Sequence, residues 1–233
     1  MYNERSMTTP HRGEHVSESV DWLILLIVAV ASIVVFIGTA LTTGFALASD
    51  SQIAWYLIRA AGMTAYSLLA ASTIWGLFLS SRLIKDWTPG TVSMLFHSTI
   101  SWLAVVFSLA HVGLLLFDTY YSYKLTDLVI PFVGPYRPFA VGLGIISIWL
   151  ILAVTISFSF RKLIGHRAWL WLHYTSYIAF VLVTAHALLA GTDGTQPGML
   201  AIMGISTFLV FALLAVRVAR TPVRKLPKSS RSV

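Results

Sequence analysis

Four histidines stand inside apolar runs of membrane-spanning length. His97 and His111 lie in Thr91–Asp118, TVSMLFHSTISWLAVVFSLAHVGLLLFD, and His173 and His186 in Gly165–Asp193, GHRAWLWLHYTSYIAFVLVTAHALLAGTD. Ionisable side chains inside a bilayer are costly, so each marks a candidate functional site. Imidazole suits iron, zinc, copper or nickel. A zinc or transport site usually gathers its ligands at one depth and adds carboxylates, yet Asp118 and Asp193 stand only at the ends of these runs and Asp21 before the first. Two helices with two histidines each, at matched depths, suggest two stacked hemes. The rival is a set of histidines that only hydrogen-bond neighbouring helices. With no cysteine in the chain, covalent c-type attachment, disulfides and cysteine-ligated clusters are excluded, and histidine is the main soft ligand left.

The elements that carry these residues follow from composition. Of 233 residues 57% are hydrophobic and only 11% charged, the balance of an integral membrane protein. Six runs reach spanning length: Trp22–Ser49, Ile53–Ser81, Thr91–Asp118, Phe139–Phe160, Ala168–Gly191 and Pro197–Arg217. The expected fold is all-α, a polytopic bundle of six transmembrane helices over residues 21–220. A polar tail without apolar periodicity, 1–20, precedes it and a basic tail, 221–233, follows. His11 and His15 are read as solvated residues of the first tail.

Lys and Arg fall mostly on one side of these spans. Arg5, Arg12, Arg82, Lys85, Arg161, Lys162, Arg167 and six residues from Arg217 onward stand on it, against Lys124 and Arg137 opposite. The positive-inside rule then puts both termini in the cytoplasm, in a cell membrane. Topology and anionic lipid account for the net charge of +7, so no nucleic-acid partner is expected. Spans three and five run the same way, which pairs His97 with His173 and His111 with His186. At about 1.5 Å per residue the two pairs lie roughly 20 Å apart along the helices.

The helical faces agree unequally. Fourteen residues bring His111 to within about 40° of His97, with Ser101, Ala104 and Ser108 between them leaving room for a flat macrocycle. Thirteen residues leave His186 about 140° from His173 on an ideal helix, so tilt, coiling or a tightened turn is expected there.

The chain resembles the ferric reductase-like transmembrane domain, the six-helix diheme unit of NADPH oxidases, ferric reductases and the heme subunit of periplasmic methionine sulfoxide reductase systems. The resemblance runs from Ile53 to Asp193. It rests on Arg59 with Gly62, on His97 and His111, on the loop DLVIPFVGPYRP from Asp127 to Pro138, and on GHRAWLWLH ending at His173. Tyr177, His186 and Gly191–Asp193 complete it. It implies two heme b groups, ligated first histidine with first and second with second. By analogy it also implies Arg59 beside a propionate of the outer heme or an outside acceptor.

The expected function is transmembrane electron transfer by an oxidoreductase or the heme subunit of one. Neither a dinucleotide fingerprint nor a βαβ pattern occurs in these residues, so the electrons are expected from a cytoplasmic flavin reductase, with its flavin on that partner, or from a membrane quinol. They would pass to ferric iron or an extracytoplasmic partner protein. The alternative is a non-redox membrane scaffold or metal binder. Arg82, Arg161 and Arg167 are read as positive-inside charges, His166 as a solvated loop residue, and Trp169, Trp171 and Tyr120–Tyr123 as interfacial aromatics. Pro131, Pro135 and Pro138 are expected to break the outer loop into a partly structured cap.

Overall fold

A computed structural model describes Gly38 and residues 51–81 and 89–220. The first expected span, both tails, Arg82 and Lys85 lie outside the described residues. Among those described there are helices and no strand. They are α1 (Ser51–Ser81), α2 (Gly90–Leu114) with a 3-10 turn at Leu115–Phe117, α3 (Leu125–Val129) and α4 (Pro138–Ser157). After a second 3-10 turn at Phe158–Phe160 come α5 (Arg161–Ile164), α6 (His166–Ala190) and α7 (Pro197–Arg220). Five helical stretches are long and apolar enough to cross a membrane, and large apolar side chains such as Val92, Leu95, Phe208 and Val218 stand exposed along them. In water such surface would be a liability, whereas lipid is its ordinary solvent.

Proline and glycine set the boundaries. Pro89 precedes α2 in an extended conformation, and Pro138 is the first residue of α4, where its missing N–H costs nothing. Gly165, at φ 83, turns the chain between α5 and α6, a conformation that excludes most side chains. Gly191 follows α6 and Pro197 opens α7.

α1 is the central helix, packed closely on α2 and α7, while α4 packs on α6. Tyr66, Ala70 and Leu77 of α1 join Phe180 of α6 and Met199, Met203, Val210 and Leu213 of α7 in one core. The Tyr66 hydroxyl reaches Ser206 Oγ at 3.0 Å and Thr184 Oγ1 at 3.3 Å, so one side chain ties three helices. A second core, Leu69, Ala104, Val105, Ile151 and Ala179, joins α1, α2, α4 and α6 at mid-depth. The close packings put α1 beside α2 and α4 beside α6, and the two helices with paired histidines face each other across the space between.

Candidate functional site

The structure brings His97 to His173, with ring centroids 6.3 Å apart, and His111 to His186, at 6.4 Å. First meets first and second meets second, so α2 and α6 run in the same direction. All four side chains are half-buried.

Three of the four imidazoles are seated in the same way. His111 lies against Gly62 of α1, where an added Cβ would stand 2.9 Å from its Nδ1. That nitrogen bonds the Ile58 carbonyl, four residues earlier on the same helix, at 2.8 Å. His186 lies against Gly144 of α4, with 2.8 Å to the hypothetical Cβ, and its Nδ1 bonds the Ala140 carbonyl at 2.9 Å, again four residues earlier. His97 lies against Gly76, at 3.1 Å, and its Nδ1 meets the Ser72 hydroxyl at 3.4 Å, four residues earlier once more. A glycine admits the ring, and the residue one turn before it takes the Nδ1 proton.

These contacts settle the tautomers. A carbonyl only accepts, so Nδ1 of His111 and of His186 carries the proton and Nε2 keeps its lone pair. For His97 the same result comes through a relay. Ser101 Oγ donates to the His97 carbonyl at 2.7 Å, so it must accept from Ser72 Oγ, also at 2.7 Å. The single Ser72 hydrogen is thereby used, and its oxygen accepts from Nδ1.

His173 is the exception. Fourteen residues beyond Gly144 stands Phe158, where α4 has given way to the 3-10 turn. Among the described residues the His173 ring has no hydrogen-bond partner, and it stacks on Trp169, at 5.0 Å between centroids and 25° between planes. Trp169 also stacks with His166, at 6.2 Å and 27°, and its Nε1 is buried without a hydrogen-bond partner among the described residues. From the first turn of α6, Trp169 thus supports the His173 ring. α6 is continuous, so no tightened turn absorbs the 140° offset. His186 leans to α4 for its carbonyl and His173 lies over Trp169.

A metal bonds imidazole nitrogen at about 2.0 Å, so two rings trans across one ion, each with its centroid about 1.15 Å behind the nitrogen, have centroids about 6.3 Å apart. Both pairs meet this spacing. Among the described residues no three of His, Cys, Asp and Glu gather as a metal-ion set, so each pair stands as two imidazoles without a third such side chain.

The second pair opens into a cavity of about 710 Å³ that reaches the Asp118–Tyr136 loop, with Gly62, Ser108, Gly144, Tyr121, Tyr123 and Tyr136 among its lining. The loop does form a cap, held by the Tyr136 hydroxyl donating to the Ala190 carbonyl. Burial, helped by Asp118, pushes the Tyr123 phenol up to about 12, so it stays protonated. The enclosed gap at the first pair is only about 60 Å³, and both imidazoles there are half-buried. Leu69 and Ile151 line both spaces. With Ala104 and Ala179 they form an apolar partition, so Ala104 packs the wall between the sites rather than making room in either.

Arg59 lines the second cavity, and its guanidinium forms a two-pronged ion pair with Asp193 while lying 4.0 Å from the Trp55 ring. Near the first pair, Arg217 donates to the hydroxyls of Tyr177 and Tyr174, at 2.9 and 3.0 Å. Arg161 instead covers Phe158, and Arg167 and His166 are exposed. Sequence reasoning missed Gly76, Gly144 and Arg217. The glycines were legible, because Gly62 and Gly76 repeat the fourteen-residue interval of His97 and His111. Comparison of the chain with family models, with curated proteins and with solved structures finds no match.

Proposed function

We propose that this chain is a transmembrane cytochrome with two b-type hemes, His97 and His173 holding one and His111 and His186 the other. The observation that carries the reading is the pair of imidazole pairs at metal-bridging separation. In three of the four rings Nδ1 is committed to a neighbour and Nε2 is left as the ligand atom. Hydrogen bonding of this kind orients a metal-bound histidine and raises its basicity. Two imidazoles with no carboxylate or third histidine gathered beside them among the described residues would suit a macrocycle better than a bare ion.

When bound, heme supplies one-electron transfer; the protein supplies position, ligation and an apolar wall. The proposal includes the sixth span at Trp22–Ser49, cytoplasmic termini, a cell membrane, and membership in the ferric reductase-like transmembrane family. It makes His97 and His173 the inner site and His111 and His186 the outer. Arg59 stands at the rim of the outer cavity, where its guanidinium can face heme carboxylates while its charge is shared with Asp193. The donor is a cytoplasmic flavin reductase or membrane quinol, and the acceptor is ferric iron or an extracytoplasmic partner protein.

A second reading has its own support, since His111 and His186 do make interhelical hydrogen bonds. A scaffold role uses only Nδ1 and leaves Nε2 without a purpose. A reduced-minus-oxidised spectrum of purified protein, expressed with ample heme, separates the two. Bis-imidazole b-type bands and two hemes per chain are expected; a featureless spectrum refutes the cytochrome.

A further inference from the structure

The loop that caps the large cavity contains a strap, residues 133–136, rooted at both ends on α4. Before it, Trp149 Nε1 donates to the Val129 carbonyl at 3.1 Å. The Phe132 ring lies on Gly142, where an added Cβ would fall 2.3 Å from it, and stacks on Phe139. After it, Pro138 begins α4 itself. Between these roots the strap makes no backbone hydrogen bond among the described residues. Two side chains reach across to α6 instead: the Tyr136 hydroxyl donates to the Ala190 carbonyl at 3.1 Å, and Arg137 Nη1 to the Leu189 carbonyl at 2.5 Å. Both carbonyls belong to the last turn of α6, where no helical N–H is due to them, so water can take over either bond.

The residues that bound the strap are held in an unusual conformation. Phe132 and Arg137, at φ 70 and 36, stand in the left-handed region that side chains other than glycine rarely adopt. Strain of this kind persists only where surrounding contacts impose it, and it collects at clamps and switches. What the strap covers is apolar. The Tyr136 ring packs on Ala140, Val141, Ile145 and Ala190, and all of these but Ala140 line the cavity together with Tyr136. Lifting the ring therefore opens the cavity.

We propose that residues 133–136 are the door of this cavity, hinged at Phe132 and Arg137 and latched to the end of α6 by the Tyr136 hydroxyl and the Arg137 guanidinium. The structure shows it closed. A ligand enters and leaves on the face of the membrane where the loop lies, and release of the latch relieves the strained hinges. The door concerns the cavity alone and stands apart from what fills it, so its test does not decide the cytochrome reading.

The chain has no cysteine, so a single introduced thiol reports opening without background. The full chain in lipid nanodiscs is treated with a charged, membrane-impermeant maleimide. Ala190→Cys puts the thiol under the Tyr136 ring, at a position 8% exposed, and Tyr120→Cys puts it on the open surface of the loop, at 84%. Ala190→Cys should label to completion but about 10-fold or more slowly than Tyr120→Cys, as expected of a site exposed only by local opening. Tyr136→Phe removes the latch hydrogen and keeps the covering ring. It should speed labelling of Ala190→Cys about fivefold, the worth of one hydrogen bond, and leave Tyr120→Cys unchanged. Tyr66→Phe, which alters contacts among α1, α6 and α7 away from the strap, should not speed it.

Labelling of Ala190→Cys as fast as Tyr120→Cys would mean that nothing covers the cavity, and no labelling in either background would mean a fixed roof; either result overturns the door. No gain from Tyr136→Phe, or an equal gain from Tyr66→Phe, would overturn the latch. Should Ala190→Cys fail to fold, Val141→Cys, 9% exposed in the same cluster, gives the same readings.

Discussion

At Gly144 the hypothetical Cβ falls 2.8 Å from an imidazole nitrogen, closer than real side chains approach. Gly144→Ala should therefore displace His186 and remove the outer heme, the same one that His111→Ala and His186→Ala remove. Gly76→Ala should weaken the heme that depends on His97 and His173. Overpacking of this kind costs about 1–3 kcal/mol, so the variants should still insert. Heme-to-protein ratios on membrane-extracted, monodisperse protein check this, and loss of hemes in crossed combinations would refute the pairing. The histidines were legible because polar nitrogen inside apolar runs is conspicuous. Their seats were harder to read: Gly62 and Gly76 repeat the histidines' fourteen-residue interval, but a glycine in a membrane helix is ordinary until the ring above it is known. Arg217 was hidden differently: at a helix end it looks like any positive-inside charge, and only the fold brings Tyr174 and Tyr177 to it.

Among the elements, α1 carries two of the three seats and also Tyr66, whose hydroxyl links it to α6 and α7. Thr184 and Ser206 already donate to the carbonyls of Phe180 and Met203, so the single Tyr66 hydrogen goes to the nearer of the two, Ser206 Oγ at 3.0 Å. Tyr66→Phe removes one hydrogen from this network and leaves no unpaired proton behind. It should lower thermal stability by about 1 kcal/mol while both hemes stay bound. Differential scanning fluorimetry with a heme assay on the same sample decides; heme loss would make Tyr66 part of the site. The spanning elements could be read from apolar length and from Pro89, Pro138, Gly165, Gly191 and Pro197. What could not be read was the early end of α4 in a 3-10 turn, because Phe158–Phe160 is as apolar as the helix before it. That irregularity is what deprives His173 of a seat.

Over the whole molecule, the interior divides into two compartments at the wall of Leu69, Ala104, Ile151 and Ala179. The hydroxyls of Thr73 and Ser147 beside the wall are occupied. Thr73 donates to the Leu69 carbonyl at 2.8 Å and Ser147 to the Ala179 carbonyl at 3.0 Å. Among the described residues that form the wall none carries a group that hands on a proton, whereas an electron needs no such chain. Transfer between the sites would therefore move uncompensated charge, and the protein would behave as an electrical element. The roughly 20 Å between sites is about two thirds of the hydrocarbon thickness. An inside-negative voltage of 100 mV should then favour outward transfer by about 1.5 kcal/mol, close to tenfold in the equilibrium between sites. Vesicles with a potassium diffusion potential would report this as a shift of reduction toward the outer heme, and a voltage-independent distribution would mean that protons do cross the wall. Each electron delivered outside would in turn draw down the potential that drives it, which couples the turnover of this chain to the energy state of the membrane around it.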